Sequence, residues 1–347
     1  VQQPVQSPVE QPVVLSTESY ALEKFFDDCN GRLWFNNNKW GEGDICDWQG
    51  IKCVSGSVVE IALGTNNIEC IPPKELFTHI QNLKKLSLYG NGVTLSFFDI
   101  QRASKLEELI LDNTYTHNLK GLENAKNLKR LSLRSCGIDG KFPSEVMALT
   151  SLEYLSLANN RLTGTLPSDL SNLKNLKFLV LGHNEFMGGL DNANFPKSLK
   201  MIDLSENNLD GPIPVNFLDN MSSASLIDID LSDNLLTGIV PSTLGRLNRL
   251  NINLGSNFFV AIDDSLCGKK YWNDEAVGKY GCDAMLCPIG TSAKTGKQTS
   301  SWNSCKPCHE AEYLGSSKCY SEQSSSRSPR IIGCIVIVMI LTLNMFF

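Results

Sequence analysis

LEYLSLANN, residues 152–160, decides the fold of this 347-residue chain, because altered copies of it recur in register on both sides. Upstream stand LKRLSLRSC (128–136), LEELILDNT (106–114) and LKKLSLYGN (83–91); downstream stand LKFLVLGHN (176–184), LKMIDLSEN (199–207) and LIDIDLSDN (226–234). Two weaker copies, VVEIALGTN (58–66) and RLNINLGSN (249–257), flank the run. The last residue of each unit falls at 66, 91, 114, 136, 160, 184, 207, 234 and 257, a period of 22 to 27 residues. Alternation of apolar and polar residues through each unit predicts a short strand with one buried face. A unit this small cannot bury that face alone and must stack on its neighbours, so a solenoid is expected.

The pattern L-x-x-L-x-L-x-x-N/C at this period resembles the leucine-rich repeat. Two further motifs narrow the resemblance. Cys46-Asp47-Trp48-Gln49-Gly50-Ile51-Lys52-Cys53, directly before the first repeat, is similar to the N-terminal cap of plant-type extracellular leucine-rich-repeat proteins. GIDGKFPSEV (137–146), RLTGTLPSDL (161–170), NLDGPIPVNF (208–217) and LLTGIVPSTL (235–244) carry the L-x-G-x-x-P extension of that class. The fold class implied is α/β: a curved leucine-rich-repeat solenoid of about nine repeats built on a parallel sheet. Second strands and 3₁₀ turns are expected on its convex side, with Gly supplying the tight backbone and Pro stopping a helix. The repeats at 83–127 lack the extension, and their convex side should differ.

The divisions that follow are a lead-in at 1–18, an N-terminal cap at 19–57 and a solenoid at 58–262. A cysteine-rich module at 263–320, a Ser-rich spacer at 321–330 and a hydrophobic tail at 331–347 complete the chain. The cap opens on a helical pattern (Tyr20, Leu22, Phe25, Phe26), and the first strand is expected at Val58. Twelve cysteines fall mostly into two clusters at the ends of the repeats, which reads as disulfide capping in an oxidising compartment. Cys305-Lys306-Pro307-Cys308 also leaves zinc open on spacing alone, although no second C-x-x-C or histidine pair accompanies it. The resemblance implies a Cys46–Cys53 bridge with Trp48 covering the open end of the core, and then a Cys29–Cys70 bridge, which departs from the commonest plant cap. At the other end residues 287–319 resemble small cysteine-rich receptor modules; Cys287 with Cys305, Cys308 with Cys319 and Cys267 with Cys282 are expected, other connectivities staying open. Cys136 occupies the ninth position of its unit, where the family places an inward-pointing Asn or Cys, and reads as a buried thiol.

The net charge of −6 gives no electrostatic footprint for nucleic acid. The chain opens on Val1 without a basic or apolar leader, so a removed secretory signal or a fragment start is expected. IIGCIVIVMILTLNMFF at 331–347 fits a GPI-attachment signal, with Ser321 and Ser324 as attachment candidates, or else a single-pass span. Asn220-Met221-Ser222 is the one N-x-S/T sequon and predicts a glycan. The histidines at 79, 117, 183 and 309 are dispersed, and no catalytic residue, metal site or cofactor is assigned.

Function is expected on the concave face, where strand residues between the buried leucines point outward. Three zones emerge: basic Arg130 and Arg134; apolar Tyr154, Phe178, Val180 and Met201; acidic Asp203, Asp228 and Asp230. Anchors beside charges are what an interface needs. The reading is a non-enzymatic, membrane-tethered surface protein binding an extracellular protein, peptide or glycan, with a membrane co-receptor as a possible partner. The alternatives are an inhibitor of cell-wall-degrading glycosidases and a single-pass co-receptor. An acidic cluster lacking the D-x-[DN]-x-[DN]-G loop argues for a solvated face rather than calcium.

Overall fold

The computed structural model describes residues 16–191, 193–255 and 257–272, then 275, 277–278, 281–284, 287, 289–293, 296, 306–312 and 315–319. Nearly all of the lead-in, the spacer, the hydrophobic tail, Cys305, Ser321 and Ser324 lie outside the described residues. No helix among the described residues is long and apolar enough to cross a membrane.

The described residues open on a helix, Thr17–Asp28, whose N-cap Ser16 accepts from the Ser19 amide at 3.0 Å. Its buried face, with Ala21, Leu22 and Phe25, meets a knot of rings. Phe26 stacks on Trp40 at 5.6 Å between centroids, Trp34 meets Trp40 edge-on at 5.0 Å, and Trp40 meets Trp48 at 4.9 Å. Each of these indoles finds an acceptor at 2.9 Å: Trp34 at Cys29 O, Trp40 at Gln49 O and Trp48 at Glu42 O. Cys46–Cys53 and Cys29–Cys70 close the cap covalently. The cap also supplies a strand that the periodicity did not predict. Ile51–Val54 pairs antiparallel with Ser57–Ala62 and adds one strand ahead of the first repeat. The strand overlaps the end of the Cys46–Cys53 motif and is too short to show an alternation of its own.

From Ser57–Ala62 onward the strands pair in parallel and in sequence order to Arg249–Asn253, giving a ten-stranded sheet. The registers align the leucines: Leu131, Leu155, Leu179 and Ile202 are successive partners, each fully buried. Each buried leucine side chain contributes on the order of 2 kcal/mol of transfer free energy. Between the layers runs a ladder of ninth-position side chains. Asn160 Nδ2 donates to Leu133 O and Leu157 O at 2.9 Å, and its Oδ1 accepts from Cys136 N and Ile138 N at 3.0 Å. Asn184, Asn207, Asn234 and Asn257 repeat the arrangement. An amide serves here because it donates and accepts at once. Cys136 fills one rung buried, its Sγ 3.1 Å from Leu111 O, and burial pushes its thiol above the usual range.

The convex side carries a six-stranded sheet from Asp139–Gly140 to Phe258–Ile262 and a separate two-stranded one, Glu69–Cys70 with Gly92–Val93. The larger sheet includes Glu185–Gly188, whose EFMG lacks the Pro of the extension motif and gave no signal. Between the two sheets, the repeat at 106–127 contributes only the 3₁₀ turn Leu122–Asn124. At the far end Trp272, fully buried, donates from Nε1 to Leu250 O at 2.9 Å and covers the last strand, inside the loop closed by Cys267–Cys282. Beyond it Thr291–Ser292 pairs antiparallel with Lys306–Pro307, Cys308 bonds Cys319, and Cys287 is disulfide-bonded.

Candidate functional site: the concave rows

Parallel pairing in strict register turns each outward strand position into a row running across the solenoid. One row reads Glu60, Lys85, Glu108, Arg130, Tyr154, Phe178, Met201, Asp228, Asn251, each the register partner of the next. A second reads Ser132, Ser156, Val180, Asp203, Asp230, Asn253. The sequence-predicted residues therefore fall into ordered rows, with Arg134 further along the strand that carries Arg130.

In the first row the Arg130 guanidinium lies over the Tyr154 ring, 3.7 Å from its centroid. Such stacking fixes a cation without using its N–H donors. Tyr154 in turn meets Phe178 at 6.1 Å and 41°, and Phe178 and Met201 are each 37% exposed. Beside this row runs another, outside the strands, that sequence reading missed: Glu107, Lys129, Glu153, Lys177. Lys129 pairs with Glu107 at 3.0 Å, and Lys177 with Glu153 at 2.5 Å. The Lys177 ammonium holds Glu153 below the usual carboxylate range. The same 22- to 24-residue spacing that aligned the leucines also aligned these alternating charges, so the signal was present. The two rows together line an open cleft of about 490 Å³ bounded by Glu107, Glu108, Lys129, Arg130, Glu153, Tyr154 and Phe178.

The second row is less open than alternation suggests. Ser132 and Ser156 are buried, the Ser132 hydroxyl donating to Asp112 Oδ1 at 2.7 Å, and Val180 is half-buried. The acidic zone is partly engaged. Asp203 Oδ1 accepts from the Ser205 amide at 3.0 Å and hydroxyl at 2.6 Å, and Asp230 Oδ1 from the Ser232 amide at 2.9 Å and hydroxyl at 2.5 Å. Asp228 is exposed and receives one bond, from Asn251 Nδ2 at 3.3 Å. Glu206 pairs with His183 at 2.6 Å. Small residues border these aspartates for a steric reason: a Cβ on Gly182 would lie 2.7 Å from Asp203 Oδ1. The side-chain amide of Asn159 lies 2.9 Å from Arg134 Nε and Nη2 and accepts from both once its oxygen is turned toward the guanidinium. Asn220 sits on the outer side, its Nδ2 donating to Phe195 O at 2.6 Å.

Residues 126–186, and again 198–220 and 225–247, match leucine rich repeat families. The receptor-like kinase TMK4 of Arabidopsis thaliana is 37% identical over 249 residues, covering 62% of this chain and 26% of that protein. Receptor-like protein 9a of the same plant is 32% identical over 156 residues, covering 42% and 16% respectively. The chain thus spans about a quarter or less of the length of these curated relatives. Among solved structures, the Arabidopsis GASSHO1/SCHENGEN3 ectodomain, in complex with Casparian strip integrity factor 2, superposes with a TM-score of 0.57 at 22% identity, over 80% of this chain and 35% of that one. A plant ice-binding protein superposes with a TM-score of 0.55 at 19% identity, over 70% and 87%. Both share the fold.

Proposed function

Because the chain is a leucine-rich-repeat protein of the plant extracellular type, we propose that its concave face recognises an extracellular protein, peptide or glycan ligand at the cell surface. One observation carries this reading: Arg130, stacked over Tyr154, stands in line with Phe178 and Met201 on consecutive strands beside an open cleft. Rings held rigid by the strands lose little entropy on binding, and a stacked guanidinium keeps its donors available, so the row suits recognition better than a scatter of exposed side chains. The irregular chemistry along the row, with basic, aromatic, apolar and acidic residues in turn, argues against the flat repeating surface that ice binding would require.

The test is binding of the recombinant chain to peptide and glycan arrays, compared with Tyr154→Ala and Phe178→Ala. Loss of every specific signal in both variants, with unchanged thermal unfolding, supports the reading; signals indifferent to both variants overturn it. Tethering through the tail, and signalling through a membrane co-receptor, belong to the same proposal. Release of the protein from cells by phosphatidylinositol-specific phospholipase C, with a C-terminus near Ser321–Ser326, supports a GPI anchor. Retention with the 331–347 peptide intact supports a membrane span instead.

A further inference from the structure

The order of charges along the first row says more about the ligand. Most ionic groups near it are already engaged: Lys85 with Glu60 at 2.7 Å, Lys129 with Glu107, Lys177 with Glu153, and His183 with Glu206. Two are not. Arg130 makes no hydrogen bond or ion pair with any described residue, its flat face resting on Tyr154 while its N–H edge stays open. Asp228 receives one long bond on Oδ1 and has no described partner on Oδ2. Between them, one per strand, lie Tyr154, Phe178 and Met201.

Resting on the concave-face reading above, we propose that the ligand is an extended peptide segment whose acidic group docks on Arg130 and whose basic group docks on Asp228. Its apolar side chains lie against Tyr154, Phe178 and Met201. The spacing follows from the sheet. Arg130 and Asp228 are four strands apart, at most about 19 Å at ~4.8 Å per strand. An extended chain rises ~3.3 Å per residue, so the two charges fall about five or six residues apart. A carboxylate fits Arg130 because the exposed edge of a guanidinium offers two parallel donors. A neutral carbohydrate offers Asp228 hydroxyl donors but no counter-charge, so a ligand carrying both charges points to a peptide. Glu108 borders Arg130 on the side away from Tyr154 and makes no ion pair with it, so it opposes an incoming carboxylate; Glu108→Gln is expected to strengthen binding.

Affinity selection of random octapeptides against the full chain, with fluorescence polarisation of the enriched sequences, tests this. Enriched peptides are expected to carry an acidic and a basic residue five or six positions apart with aromatic or aliphatic residues between. Arg130→Ala should weaken such a peptide by about tenfold, yet barely affect the same peptide with its acid changed to the amide. Asp228→Asn should show the same coupling to the basic residue alone. Peptides that depend on Phe178 but whose charges couple to neither residue would overturn the polarity and leave the concave reading standing. A glycan signal lost in Phe178→Ala, with no peptide enriched, would do the same. Enriched peptides indifferent to Phe178→Ala would overturn both.

Discussion

The ninth-position side chains show how much rests on single residues. Asn184 Nδ2 serves Leu157 O and Leu181 O, and its Oδ1 receives the Leu162 amide, all inside the core. Asn184→Leu leaves these backbone groups without partners, and a loss of about 3 kcal/mol is expected in urea unfolding. Cys136 holds its rung as a neutral thiol. Its folded-state pKa lies above the ordinary value, so the protonated form contributes stability in full below the ordinary thiol range and loses it as pH rises beyond. The wild-type chain should therefore lose more stability between neutral and strongly alkaline pH than Cys136→Ala does. An identical alkaline slope in the two proteins would sink this account. The Arg130–Tyr154 stack belongs to the same scale, and it was hidden from sequence reading because its partners lie 24 residues apart and meet only through strand register.

At the scale of elements, the two caps do what an open-ended stack requires, which is to cover the apolar faces of the first and last repeats. Their bridges differ in reach. Cys29–Cys70 spans 41 residues and Cys46–Cys53 spans 7, so loop-closure entropy assigns them about 4 and about 2 kcal/mol. Replacing the first pair by serines is expected to lower the unfolding midpoint more than replacing the second, as calorimetry would measure. At the other end Trp272→Ala removes both a buried ring and the donor to Leu250 O, and about 4 kcal/mol should be lost. The N-terminal cap was legible because its cysteines and Trp48 sit at motif spacing. The strand Ile51–Val54 and the role of Trp272 were not, since neither repeats and each depends on a neighbour brought up by folding.

Across the whole molecule, stability accumulates from neighbour to neighbour, and the chain has one visibly poorer junction. The convex sheets stop at Gly92–Val93 and resume at Asp139–Gly140, and in the same stretch Thr114 and Cys136 replace two rungs of the asparagine ladder. Thr114 Oγ1 reaches Leu111 O at 2.8 Å but has no amide to serve the next layer. Native-state hydrogen exchange is expected to find the strand amides of Leu109 and Leu131 less protected than those of Leu155 and Leu179. Equal protection along the array would remove the argument for a weak junction.

The sequence by itself determined the solenoid, its register and its core, because a hydrophobic period repeated nine times admits one parallel stacking that buries the fourth and sixth residues of every unit. It also ordered the concave side chains, since register carries outward positions along with inward ones. Only the tertiary structure decided which of those side chains are available. Ser132 and Ser156 face the concave side yet are buried, Asp203 and Asp230 bond their own serines, and Arg130 stands free on Tyr154. The Asp–Ser bonds are local, two residues apart. The stack of Arg130 on Tyr154 and the burial of Ser132 against Asp112 depend on neighbours a repeat away, which no pattern within one repeat contains.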